Sequence, residues 1–117
     1  MQKYLIVMAG GAVGSLARYV AGTAIMSRYG GRFPLGTLVV NATGCFLIGV
    51  IMTLMTREAP HPNWRLLLVV GFLGGYTTFA TFAYETFLAS PSTVFFNVAV
   101  SVVIGYLALW LGAICAR

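Results

Sequence analysis

Four long apolar stretches follow one another along the chain with little between them. They run from about Tyr4 to Met26, Leu35 to Thr56, Trp64 to Leu88 and Thr93 to Ala116. A helix needs about 20 apolar residues to cross a bilayer, and each stretch meets that length. The breaks are polar and short. Arg28, Gly30, Gly31, Arg32 and Pro34 form the first, and Arg57, Glu58, Pro60, His61, Pro62 and Asn63 the second. Trp64 and Arg65 then open the next helix at the interface. Ser90, Pro91 and Ser92 make the third turn, where proline stops one helix and starts another. Such loops leave no room for a soluble domain. The pattern predicts one four-helix transmembrane domain over residues 1–117 and places any function within the membrane. Lys3 ahead of an apolar run invites comparison with a signal peptide, but the run is too long for an h-region and three more spans follow.

Composition agrees with this reading. Hydrophobic residues make up 60% of the chain and charged residues 8%, against roughly a quarter charged in soluble domains. The net charge of +5 comes from scattered bases with no basic run or stripe, which argues against nucleic acid as a partner. Cys45 and Cys115 lie in apolar segments, with no CxxC or Cys/His cluster to suggest a disulfide framework or a thiolate metal site. His61, the sole histidine, sits in a loop and no nucleophile–base pair is evident, so the chain does not read as an enzyme. An even number of spans puts both termini and the second loop on one side. That side carries Lys3, Arg57, Arg65 and Arg117, the other Arg28 and Arg32, and Arg18 falls inside the first span. Basic loops mark the cytoplasmic side, and a four-to-two split is a weak instruction that would let the chain insert both ways.

The polar positions within the spans form tracks. In span 1, Gly11, Gly14, Arg18 and Gly22 share one helix face, and Gly10 with Gly14 makes a GxxxG suited to close helix packing. Arg18 has two readings: a functional cation within the membrane, or a side chain snorkelling to the interface. In span 2, Thr37, Asn41 and Gly44 make one narrow strip; Asn41 could simply bond a neighbouring helix or could line an ion path with its amide. In span 3, the Gly74-Gly75 and Thr77-Thr78 pairs are poor material for an uninterrupted helix and predict a break in mid-membrane, where freed backbone groups can bind ions. Phe79 and Phe82 share a face, either as bulk or with electropositive ring edges toward an anion. Span 4 carries Asn97, Ser101 and Gly105 on one track, with Tyr106 beside it and Gly112 further on. Glu85, near the end of span 3, reads as a structural hydrogen bond or an interfacial group. An interior with donors, hydroxyls, an arginine and ring edges but almost no carboxylates suits a small anion that only accepts hydrogen bonds.

The run Gly71–Phe82, GFLGGYTTFATF, followed by Glu85, is close to the pattern GFLGGxTTFSTF. With the Pro34–Gly44 stretch (PxGTLxVNxxG) and those at Gly11–Tyr19 and Asn97–Gly105, it resembles the small fluoride-channel family known as Fluc or CrcB over essentially the whole chain. Ala80 departs from the family's usual serine. The resemblance implies an all-α membrane protein of four transmembrane helices with a break in the third, assembled as an antiparallel dual-topology homodimer. It implies a fluoride-selective channel that exports fluoride across the bacterial cytoplasmic membrane, with two fluoride pathways and a structural Na+ at the dimer axis. Carried over, Phe79, Phe82 and Asn41 would line the fluoride path, with Thr81 and Ser101 as further members of the polar track, and Arg18 would sit at an anion vestibule. The main-chain oxygens of Gly74 and Thr77 would hold the sodium. Fluoride, a second copy of the chain and the lipid bilayer are the expected partners. The rival reading is a small four-helix multidrug exporter. Such exporters are built on a glutamate in the first span, which here has no acid. A third is a non-transporting assembly subunit joined through GxxxG surfaces.

Overall fold

The computed structural model describes residues 1–31 and 33–117; Arg32, counted above among the bases of the first loop, lies outside the described residues. In chain order the elements are α1 (Gln2–Tyr29), α2 (Leu35–Glu58), α3 (Pro62–Arg65), a π-helical segment (Leu66–Leu73), α4 (Gly74–Tyr76), α5 (Phe79–Leu88) and α6 (Pro91–Cys115). Four helical stretches among the described residues are long and apolar enough to cross a membrane: Gln2–Tyr29, Leu35–Glu58, Pro62–Leu88 and Pro91–Cys115. The ends reach further than the apolar pattern suggests. Ser27 and Arg28 are polar without breaking a helix, so α1 continues to Gly30. Pro62 and Pro91 open their helices at the first turn, where a missing N–H costs nothing. α2 stops where Ala59 turns left-handed (φ 45°) and donates its N–H back to the Met55 carbonyl at 3.0 Å.

The described side chains that are buried almost completely are Leu73, Val40 and Asn97, while large apolar side chains cover the outside. That distribution fits lipid as solvent, where helices associate through close packing rather than by hiding apolar surface. Small residues supply the packing. A Cβ added at Gly14 would fall onto the Phe72 carbonyl, so α1 rests directly on the backbone of the π-helical segment. Between α2 and α6, Gly49 and Gly112 do the same against the Leu109 and Phe46 carbonyls. The GxxxG of α1 is thus spent within the chain. The Arg57 guanidinium Nη1 donates to the Ala116 carbonyl at 2.7 Å, and Gln2 shares a groove with Trp64, so both termini and the second loop gather at one end.

The π-helical turns are not legible in LLLVVGFL, whose apolar residues fit an ordinary α-helix equally well. They bring Gly71 against α1, where a Cβ would stand 2.9 Å from the Val7 carbonyl and 3.0 Å from Gly10 Cα. Gly14→Val is expected to destabilise the folded chain by about 1–3 kcal/mol through overpacking, seen as a lower unfolding temperature in detergent. Gly22→Ala provides the control, because a Cβ there meets nothing within 4 Å.

Candidate functional site

The polar strip of α2 meets the third span at three levels. Thr37 Oγ1 donates to Glu85 Oε1 at 2.9 Å. One helical turn on, the Asn41 carboxamide donates from Nδ2 to the Thr78 carbonyl at 2.9 Å and accepts the Thr78 N–H on Oδ1 at 2.8 Å. Another turn on, Gly44 makes room for the Thr77 methyl group. The Asn41 pair is a strand-like bridge made by a side chain. It gives Thr78 both of the partners that an extended residue loses on leaving a helix. Thr77 (φ −81°, ψ 152°) and Thr78 (φ −147°, ψ 121°) are extended accordingly. Thr78 then caps α5, its Oγ1 accepting the Thr81 N–H at 3.2 Å.

The break therefore lies at Thr77–Thr78 and not at the glycines, which remain helical in α4. Gly75 has a different use: a Cβ there would stand 2.6 Å from the Gly11 carbonyl and 3.1 Å from Ser15 Oγ, so it permits close approach to α1. What the break releases is specific. In a continuous helix the Gly74 carbonyl would take the Thr78 N–H and the Thr77 carbonyl the Thr81 N–H. Those donors go instead to Asn41 Oδ1 and Thr78 Oγ1. The Gly75 carbonyl, deprived of the Phe79 N–H, accepts from Arg18 Nε at 3.1 Å. Arg18 is thus held in the interior rather than snorkelling, half-buried, with the rest of its five-donor guanidinium left over.

Two cavities flank the break. The larger, about 600 Å³, is lined by Arg18, Gly22, Thr37, Thr78, Thr81 and Glu85 among others. The smaller, about 330 Å³, is lined by Asn41, Thr77, Thr78, Phe79, Phe82 and Ser101 among others. Thr78 belongs to both walls. The structure brings Asn41, Phe79, Phe82 and Ser101, which the family resemblance groups, to one cavity, but places Thr81 on the Arg18 side. The reason is helical phase: Thr78, Thr81 and Glu85 (i, i+3, i+7) share one face at the start of α5, while Phe79, Phe82 and Thr86 share the next. The Phe79 and Phe82 rings are 5.7 Å apart at 46°, and Phe79 is 78% exposed. Gly74 lines neither cavity and is exposed on the chain's surface. Tyr106 points outward, away from both.

Two residues gain importance that their sequence positions did not give them. Glu85 makes a structural hydrogen bond, one of its two expected readings, yet its carboxylate also lines the Arg18 cavity, with Oε2 buried and without a partner among the described residues. Its spacing from Thr78 and Thr81 was the available signal. Asn97 is 1% exposed and lines neither cavity; it joins Ser101 on α6 to Thr86 on α5.

These features define a four-span integral membrane protein whose interrupted third span presents hydrogen-bond donors and released carbonyls at membrane depth. The chain belongs to the CrcB family: residues 5–113 match the family described as CrcB-like protein, Camphor Resistance (CrcB). It is 59% identical over 120 residues to the fluoride-specific ion channel FluC of Solibacter usitatus, covering 98% of each chain. It is 47% identical over 117 residues to the protein of that name from Acidobacterium capsulatum (96% of this chain, 94% of the relative). With that of Geobacter sulfurreducens the identity is 43% over 127 residues (100% and 98%).

Proposed function

We propose that this chain is a fluoride-selective ion channel, not an enzyme, and that it lowers cytoplasmic fluoride by letting the anion leave across the cytoplasmic membrane. The observation that carries this reading is the cavity formed by Asn41, Phe79, Phe82 and Ser101 beside the break, in a chain whose full-length relatives are named fluoride-specific channels. One N–H of the Asn41 amide remains after its bond to Thr78, and the phenyl edges are electropositive. Arg18 in the adjoining cavity attracts anions toward the same threonine. An inside-negative potential drives an anion outward, by about 2.3 kcal/mol per 100 mV. The test is efflux: purified protein in fluoride-loaded liposomes should release fluoride once a counter-ion path is supplied. Movement of chloride or a drug cation with no release of fluoride would overturn the reading, and a drug cation alone would favour the exporter.

The working unit is an antiparallel homodimer. Two features support this. Phe79 is 78% exposed although it lines the cavity, and the released Gly74 carbonyl lies on an exposed backbone position at membrane depth. A carbonyl that has lost its helical donor must be covered there by protein or water, not hydrocarbon, and a second copy would cover both. The Gly74 and Thr77 main-chain oxygens, freed from helical donors, are hard ligands of the kind that suit Na+. A sodium ion held by them would supply a fixed positive charge that joins the copies. Cysteine-reactive tags in the second loop should label from both faces of sealed membranes, about half from each. Adding several lysines to one side should force a single orientation and reduce activity. Labelling from one face with full activity would refute the arrangement.

A further inference from the structure

Where the termini and the second loop gather, Trp64 stands between two grooves. One, about 220 Å³, borders α2 and is lined by Glu58 together with apolar side chains. The other, about 380 Å³, lies between α1 and the start of the third span. Its walls are Leu5, Ile6, Ala9 and Leu67, and its two polar members, Gln2 and Asn63, both belong to the first turn of their helices. Polarity therefore changes along its length. Carboxamides stand at the outer end, and Ala9 lies seven residues deeper on α1, about 10 Å at the helical rise. The same face of α1 then continues through Val13 and Leu16, both more than half exposed. Trp64, 52% exposed, sets the outer end at headgroup level, where indoles collect. No acid is among the described residues that line this groove. Lys3 shares the first turn of α1 with Gln2, and Arg65 follows Trp64; both are exposed. Arg57, at the same end, is already committed to the Ala116 carbonyl.

We propose that the groove between α1 and Trp64 is a binding site for an anionic phospholipid. One acyl chain lies against Leu5, Ile6, Ala9 and Leu67 and continues along α1 toward mid-membrane. The ester and phosphate oxygens reach the level of Gln2 and Asn63, and Lys3 and Arg65 supply the positive charge. A phosphate oxygen only accepts hydrogen bonds, so carboxamide N–H groups and basic side chains match it. A choline headgroup places its own cation beside those bases and forfeits the attraction. Each base near the membrane surface favours an anionic lipid by about fivefold. The groove on the other side of Trp64 supplies the contrast, because Glu58 repels the same headgroup there. None of these residues lines either cavity beside the break, so the lipid site is separate from the ion path.

The experiment uses Trp64 as its reporter. Trp110, the other tryptophan, is 51% exposed on α6, and Trp110→Phe keeps an aromatic surface toward lipid. This protein is reconstituted into vesicles of equal composition in both leaflets, which makes the orientation of the chain immaterial. Phosphatidylglycerol or phosphatidylcholine brominated on the acyl chains is then added in steps, since bromine quenches indole fluorescence on contact. Brominated phosphatidylglycerol should reach half-maximal quenching at about a fivefold lower mole fraction, the contribution of one base. The difference should shrink in 1 M salt, where charges are screened within about 3 Å. Lys3→Gln combined with Arg65→Gln should bring the two lipids together, and so should Ala9→Phe, which fills the deep end. The chain with both tryptophans guards against a folding defect, because there the preference should persist at smaller amplitude. Equal quenching by the two lipids, or a preference that survives both sets of substitutions, overturns the proposal. Quenching by neither lipid overturns it too, and shows the groove covered by a second copy of the chain.

Discussion

Asn41→Asp is expected to reduce fluoride efflux by roughly two orders of magnitude, the kinetic equivalent of about 3 kcal/mol. The carboxylate can still accept the Thr78 N–H, but it places a lone pair against the Thr78 carbonyl where Nδ2 now donates. The extended turn loses one of its two fastenings, and the anion path gains a negative charge. Asn41→Leu separates these effects, since it is neutral and removes both bonds. If the clamp or the free amide N–H matters, it loses flux to a similar degree; if charge repulsion alone matters, it conducts nearly as well as the unaltered chain. The measurement is initial efflux from fluoride-loaded liposomes, normalised to monodisperse protein. Full flux through the aspartate variant would remove Asn41 from the path.

Phe82→Ile and Phe79→Ile should each lower fluoride efflux by about two- to tenfold while leaving the fold intact. The substitution keeps apolar bulk and removes the ring edge, whose interactions are worth about 0.5–1.5 kcal/mol each. The two rings meet at 46° and 5.7 Å, so removing one also alters how the other is held. Phe95→Ile is the control: Phe95 is exposed on α6 and lines neither cavity, and its loss should leave efflux unchanged. Normal efflux through the Phe82 variant would assign that ring to packing alone.

The membrane character of the chain, its four spans and the interruption of the third were determined by the sequence. Those features follow from local chemistry: stretches of about 20 apolar residues have one way to satisfy their backbone in lipid, and Pro, Gly and paired threonines are poor material for the interior of a helix. The grouping of Asn41 with Phe79 and Phe82 was legible too, through the likeness of the GFLGGYTTFATF run to a known family. The tertiary structure decided the rest. It put the break at Thr77–Thr78 because a carboxamide on another helix compensates that backbone, a partnership between residues 37 positions apart. Composition cannot reveal it. It turned Gly75 from a helix breaker into a contact with α1, since the cost of a glycine depends on what lies opposite its missing Cβ. It sorted Thr81 and Glu85 onto the Arg18 side and Ser101 onto the phenylalanine side, because the phase of α5 restarts after the break. It also buried Asn97, outwardly one more polar residue in a track, where it joins Ser101 on its own helix to Thr86 on α5. A buried amide must be satisfied by whatever lies opposite it, and only folding brings the Thr86 hydroxyl into place.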